Sequence, residues 1–442
     1  MKELESKPNE EGGRSLKVVI INKSDSTGGA AVVSRRLMEA LRAEGVDARM
    51  LVAEKLTDSP YVEVAANAAA IKSKFLLERL KIYLANGLNR TTLFKIDTGE
   101  GGLPLWRHHL VKEADAVLLN WFNQGFLSLR GLKKIRELGK PVIWTMHDMW
   151  AMTGICHHAG SCRHYLEHCG DCPLLGRRSS QGDLSHRVYE RKAEIYPDSS
   201  QMGPMAFVAV SRWLRDKALE SSLLCHRRVE VINNAFDSRM TEEVSRRERR
   251  EDGKIRILFG AARLDDPIKG LDTLKEMCGI LKRDYGDIAS RLEIALFGGV
   301  KNPDSLQNFA LPLIHLGMIK GEDALKEAYL QADILVSASS YETFAATLQE
   351  AQAYGSIPVS FNRGGQGDIV EHLTTGYLTE YDTETERRAR NLAKGVVWAA
   401  EIISDEEKYS AIKKRMLDNV RNKFSYSHIA KQYKELIKEL EG

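Results

Sequence analysis

Residues 16–22 (LKVVIIN) form a short apolar run rich in β-branched side chains, the pattern of a strand buried on both faces. A polar turn bearing Gly28 and Gly29 follows, and apolar residues then return at helical spacing through Val33, Leu37 and Leu41. Gly45 closes that helix, and residues 48–53 read as the next strand. The same alternation recurs with strands at 116–120 and 142–146 around a helix at 133–138, and further strands fall at 207–210 and 229–232. Strands alternating with helices predict an α/β domain with a parallel sheet.

Residues 239–254 (RMTEEVSRRERREDGK) are strongly charged and show no apolar face, which predicts a surface linker or an exposed helix. A second alternating series starts at 255–260 (IRILFG). It runs through a helix near 270–281, a strand at 292–297, a helix at 323–331, a strand at 334–337, a helix near 344–354 and a strand at 358–361. The stretch 406–441 reads as helical, with apolar residues at 429, 433, 436 and 440. The architecture is repeated without any repeat of the sequence.

A chain of 442 residues exceeds one ordinary core and suits two domains of roughly 200 residues each. A net charge of +3 gives no global field that would favour nucleic acid as a partner. Residues 1–15 are polar and carry Glu3, Glu5, Glu10 and Glu11 where an export signal needs an apolar core, so they read as a disordered lead-in. No apolar run approaches the roughly 20 residues of a membrane span. The expected location is the cytoplasm, with at most peripheral contact with the cytoplasmic face of an inner membrane.

The stretch 339–358 (SSYETFAATLQEAQAYGSIP) carries the most chemistry. Glu342 follows a strand and precedes a helix, and Glu350 lies about 12 Å further along that helix. Between them the amides of Thr343, Phe344, Ala345 and Ala346 fall at a helix N-terminus, where N–H groups and the helix dipole favour phosphate. Carboxylates on either side of a phosphate suit hydroxyl-rich groups, a sugar ring and a ribose. Taken alone, the two glutamates would read as a dipole partner and a solvated side chain.

Glu342 and Glu350, followed by Ala351 and by Gly355-Ser356-Ile357-Pro358, resemble the signature of the retaining GT-B glycosyltransferases of family 4 (glycosyl transferases group 1). Residues 259–274 (FGAARLDDPIKGLDTL) are similar to that family's first C-terminal motif, and residues 362–378 (NRGGQGDIVEHLTTGYL) to its glycine-bearing loop. VINNAFD at 231–237 resembles its crossover between domains. The resemblance implies a GT-B fold of two Rossmann-like domains facing each other across a cleft. It implies an acceptor domain at 16–235, in which the clustered cysteines mark an insert at 150–180, and a donor domain at 236–405. Helices at 406–442 would pack back on the first domain. The implied activity is sugar transfer with retention from a UDP- or GDP-sugar to a glycan or lipid-linked saccharide, as in bacterial polysaccharide assembly, with no catalytic metal.

By the same resemblance Arg263 and Lys269 hold the donor diphosphate, a role that guanidinium and ammonium charge suits. Gly28 and Gly29 correspond to the N-terminal glycine loop that approaches donor phosphates and sugar, and Ser211-Arg212 resembles a cleft-lining pattern. His147, at the end of the strand 142–146, falls at the sugar's primary hydroxyl near the reacting centre, a strand-end position where α/β proteins bind ligands. The family has glycine where this chain has Ala345, which would impair activity if that backbone needs a positive φ. Other readings of the same features are a nucleotide-sugar epimerase or hydrolase, a non-catalytic nucleotide-sugar-binding subunit, and a scaffold built on the cysteine loop.

Residues 71–95 set Lys72, Lys74, Arg79, Lys81, Arg90 and Lys95 against a single Glu78, with Phe75, Leu76, Leu80, Leu84 and Leu88 interleaved. Such a segment suits an anionic membrane surface, or equally a core-facing helix with a solvated basic side. Cys156, Cys162, Cys169 and Cys172 cluster within 17 positions, the last two at knuckle spacing. Structural zinc, an iron–sulfur cluster, two disulfides and free thiols are all compatible with that spacing, and His157, His158, His164 and His168 offer substitute ligands.

Overall fold

The computed structural model describes residues 14–239, 241, 244, 252–319 and 321–442. Most of the expected lead-in and most of the charged stretch 239–254 lie outside the described residues. Two compact units are present, one of residues 1–235 with 426–442 and one of residues 236–425.

The first unit holds a seven-stranded sheet. In chain order its strands are β1 (Lys17–Ser24), β2 (Asp47–Glu54), β3 (Val62–Val64), β4 (Ala116–Leu119), β5 (Val142–Met146), β6 (Met205–Ala209) and β7 (Val229–Val231). They lie in the order β3-β2-β1-β4-β5-β6-β7, and every pairing is parallel. β4, β5 and β6 are buried along their whole length, as strands covered on both faces must be.

Helix Gly29–Ala43 covers one face through Leu37, Met38 and Leu41. The last helix, Tyr426–Glu441, joins the same core through Ile429, Ala430, Tyr433, Leu436 and Ile437. Tyr426 donates to Glu39 at 2.8 Å, and the Tyr433 hydroxyl lies 2.8 Å from the Thr145 hydroxyl of β5. Of the stretch 406–442, only residues 426–442 therefore group with the first unit, while helix Glu406–Phe424 belongs to the second.

The second unit holds β8 (Ile255–Arg263), β9 (Leu292–Gly299), β10 (Leu313–His315), β11 (Ile334–Ser337), β12 (Ile357–Phe361) and β13 (Tyr377–Thr379), in the all-parallel order β10-β9-β8-β11-β12-β13. Its core joins Ile257, Phe259, Ile294, Leu296, Val336 and Val359 to helix Leu271–Asp284 and helix Thr385–Ser404. Helix Thr385–Ser404 is absent from the sequence reading, although Ala389, Leu392, Ala393, Val396, Ala399, Ala400 and Ile403 keep a helical period.

The basic segment at 71–95 reverses one expectation. It forms helix Ala68–Ala85, whose buried residues are Glu78, Arg79 and Ile82. Leu76, Leu77, Leu80 and Leu84 are each more than half exposed. Long-range partners hold the two side chains inside: Arg79 pairs with Asp97 at 3.0 Å, and Glu78 accepts from the Thr98 amide at 2.8 Å and its hydroxyl at 2.6 Å. No helix among the described residues is long and apolar enough to cross a membrane.

Candidate functional site

Both sheets place their first strand beside their fourth, β1 by β4 and β8 by β11. Connections leave those neighbours in opposite directions, and the crevice outside their carboxyl ends is where open α/β sheets take ligands.

In the second unit the turn after β8 ends in the short helical turn Pro267–Lys269, capped by Asp266. The Lys269 ammonium lies 2.6 Å from Glu342 Oε1 on the segment after β11. The backbones of the two segments are tied as well, by the Ser340 amide donating to Ile268 O at 2.9 Å. Gly270 makes this approach possible, since a Cβ there would stand 2.2 Å from Ala338 O. Glu342 is fixed from the other side by the loop after β12, where the Gly365 amide donates to Glu342 O at 2.8 Å. Gly364 has φ +128° and a Cβ on it would lie 2.2 Å from Glu342 O, so only glycine fits there. The glycines of residues 362–378 thus hold the Glu342 backbone.

Glu350 sits on helix Ala346–Ala353, buried, and accepts from the Tyr329 hydroxyl at 2.8 Å. Tyr329, on helix Glu322–Leu330, stacks on Tyr354 at 5.6 Å between centroids. Sequence reasoning missed it, because its partner lies 21 residues away. Phe344 and Ala345 are buried. Ala345 has φ −84°, ordinary for any L-residue, so the replacement of glycine carries no backbone strain. The run of helix-terminal amides is shorter than expected: the helix begins at Ala346, whose N–H donates to Phe344 O at 3.0 Å. Arg263 turns to the acids of its own loop, Asp265 and Asp266, at 3.4 Å each. Lys269 and Glu342 therefore meet directly, while Arg263 is neutralised beside them.

In the first unit Gly28 and Gly29 open helix Gly29–Ala43 after β1, both exposed, with nothing within 4 Å of where a Cβ would stand. His147 follows β5, and its Nε2 lies 2.7 Å from Asn120 Oδ1 at the end of β4. Burial depresses the His147 pKa to about 4, so its imidazole is neutral near pH 7. Ser211 caps helix Arg212–Glu220, accepting from the Leu214 amide at 3.2 Å.

Asp148 gathers a further network, accepting from Trp121 Nε1 at 2.9 Å and the Trp150 amide at 2.8 Å, with His157 Nδ1 at 2.7 Å. Burial pushes the Asp148 pKa up, but the charge and hydrogen bond of His157 outweigh it and bring the pKa to about 2. Burial likewise opposes the charge on His157, yet Asp148 raises its pKa. This ion pair links the cysteine-rich insert to the residue beside His147, and His157 is committed to it rather than free as a metal ligand. Asn120 and Trp121 were legible only as strand-end positions.

Ligand atoms of three residues gather within 4.8 Å at Glu63, His108 and His109 and at His168, His186 and Glu190 among the described residues. The four clustered cysteines do not reach that mutual spacing, and all are unpaired thiols.

Residues 241–416 match the family described as Glycosyl transferases group 1. WcaC of Escherichia coli K12, described as a glycosyl transferase of colanic acid biosynthesis, is 26% identical over 264 residues, 57% of this chain and 60% of WcaC. The match thus spans less than two thirds of that relative's length. Among solved structures, HepE of Anabaena in complex with UDP superposes with TM-score 0.56 at 16% identity, over 96% of this chain and 100% of that chain. Sucrose-phosphate synthase of Thermosynechococcus elongatus gives TM-score 0.60 at 16% identity, over 96% and 99%. Two parallel sheets of Rossmann order, with these likenesses, make the fold GT-B.

Proposed function

We propose, from the match of residues 241–416 to the family described as Glycosyl transferases group 1, that this protein transfers a sugar from a nucleoside diphosphate sugar to a hydroxyl of a glycan or lipid-linked saccharide. The meeting of Lys269 with Glu342 at the β8/β11 crevice carries this reading. A cation and a carboxylate side by side suit a donor that is anionic at its diphosphate and hydroxyl-rich at its sugar.

Lys269, assisted by Arg263, stabilises the negative charge that grows on the diphosphate as its bond to the anomeric carbon breaks. Glu342 and Glu350 accept hydrogen bonds from sugar and ribose hydroxyls. The acceptor oxygen bonds to the anomeric carbon, and its proton passes to the departing phosphate, a displacement that retains configuration. His147, neutral, acts as a hydrogen-bond partner for a hydroxyl rather than as a proton donor. UDP- and GDP-sugars are the donor classes proposed, in polysaccharide or glycan assembly.

The exposed leucine face of helix Ala68–Ala85, flanked by Lys72, Lys74 and Lys81, supports peripheral contact with an anionic membrane bearing a lipid-linked acceptor. Co-sedimentation with anionic vesicles, lost in a Leu80→Ser/Leu84→Ser variant and absent with neutral vesicles, tests that contact.

The decisive experiment measures melting temperature against UDP-, GDP- and ADP-sugars, followed by product analysis with the donor that binds. A shift with one donor, abolished by Lys269→Ala and by Glu350→Ala, and a product of unchanged anomeric configuration would support the proposal. Release of free sugar alone points to a hydrolase, and binding without turnover to a non-catalytic subunit.

A further inference from the structure

The insert between β5 and β6 brings Cys156, Cys162, Cys169 and Cys172 to the wall of one cavity of about 20 Å³, room for a single small ion or water. Its backbone is tightly built around the sulfurs. A Cβ on Gly154 would lie 2.5 Å from Ser185 O and 3.0 Å from Cys169 Cβ. The Cys172 amide donates to Asp183 Oδ2 at 2.8 Å, and Asp183 caps helix Leu184–Ile195. A backbone N–H is aimed at sulfur: Gly154 donates to Cys169 Sγ at 3.2 Å.

A second observation is independent of the cysteines. Lys192, on helix Leu184–Ile195, is wholly buried. Its ammonium donates to Thr153 O at 2.9 Å, to Gly154 O at 3.0 Å and to Trp150 O, and stands 3.7 Å from the Trp150 ring centroid. Among the described residues no carboxylate forms an ion pair with it; burial lowers its pKa to about 7, opposed by Cys169, Cys156, Asp148 and Asp97. A buried cation without a counter-charge is costly, and a cluster of thiolates beside it supplies one.

We propose that Cys156, Cys162, Cys169 and Cys172 bind one structural zinc ion as a tetrathiolate, with Lys192 as its buried counter-cation. Four Zn–S bonds form and four thiol protons leave to solvent, giving a centre of charge −2 that Lys192 offsets in part. Sulfur is the donor because nearby histidines are engaged elsewhere: His157 with Asp148, His164 Nδ1 with Gly170 O at 2.8 Å and His168 with Glu190. Binding draws the sulfurs inward to about 3.8 Å from one another, the edge of a tetrahedron with Zn–S of about 2.3 Å. The metal then fixes the insert from which His157 reaches Asp148, and so steadies the His147 end of β5.

The test is elemental analysis of the purified full chain, with exchange of the bound metal for cobalt. One equivalent of zinc, released by a mercurial and giving on cobalt exchange the visible bands of a tetrahedral tetrathiolate, is expected. Cys169→Ser should lose the metal, and Lys192→Met should weaken zinc about 10- to 100-fold in competition with a chromophoric chelator. A metal-free chain with four alkylatable thiols, a pair of disulfides, or iron with acid-labile sulfide would each overturn the zinc site. Unchanged affinity in Lys192→Met would overturn the counter-cation role. Should Cys169→Ser fail to fold, metal content and the cobalt spectrum of the unsubstituted chain still decide.

Discussion

Lys269 and Glu342, 73 residues apart in the chain, meet at 2.6 Å because β8 and β11 are neighbours in the sheet and the segments leaving them turn toward the same crevice. Both side chains are partly exposed, so the pair contributes little to stability, roughly 0–1 kcal/mol. In the proposed function its value lies in presenting a cation to the donor phosphate.

Lys269→Ala is therefore expected to lower kcat/KM for sugar transfer by about 10²–10³-fold while leaving the melting temperature nearly unchanged. Steady-state kinetics beside a thermal melt check this. Loss of folding instead of activity would remove Lys269 from the donor site.

Gly364→Ala is expected to cost about 1–3 kcal/mol, since the new Cβ enters a φ of +128° and meets Glu342 O at 2.2 Å. The backbone of Glu342 must give way. Donor affinity, read as the ligand-induced melting shift, should fall further than stability does.

Ala345→Gly restores the residue type of the resembling family, yet no gain in rate is expected. With φ at −84° alanine is unstrained, and glycine only adds freedom to the unfolded chain, a loss of about 0.4–1 kcal/mol. A large rise in kcat in this variant would show that close approach at this backbone, rather than its φ, matters.

Glu78 governs a pH dependence. Burial, then the nearby Asp97 charge, raises its pKa from 4.5 to about 7. The folded chain thus holds a proton that the unfolded chain has released, so this group's contribution to stability declines as pH rises from about 4.5 to about 7. Glu78→Gln keeps an acceptor for Thr98 and should flatten that slope, stabilising the protein above pH 7 by up to about 3 kcal/mol. Urea melts at pH 5 and pH 8 distinguish the two, and equal slopes in both proteins would contradict the raised pKa of Glu78.

The donor motif was legible because its residues sit at the ends of strands that local periodicity already marks: Arg263 after an apolar run, Glu342 between a strand and a helix. The same rule located His147 after β5. Tyr329 escaped it, and Asn120 was legible only as a strand end without a role. Each acquires its role from a partner more than twenty residues away, and neither interrupts a pattern of its own.

Helix Ala68–Ala85 marks the limit most clearly. Its leucines repeat as a buried stripe would, yet they are exposed, while Glu78 and Arg79 are inside. Nothing near them in the chain predicts this, because Thr98 and Asp97 satisfy them from 18 to 20 residues away.

By itself the sequence determined the two α/β series, the strand-end positions of the candidate donor residues and the clustering of four cysteines. These follow from side-chain periodicity and spacing, which neighbours in the chain decide. Tertiary structure alone decided that Lys269 reaches Glu342, that His157 pairs with Asp148 and that Lys192 is buried beside the cysteine loop. Those relationships depend on strand order and on which charges find partners when water is excluded, and neither is a property of any local stretch of chain.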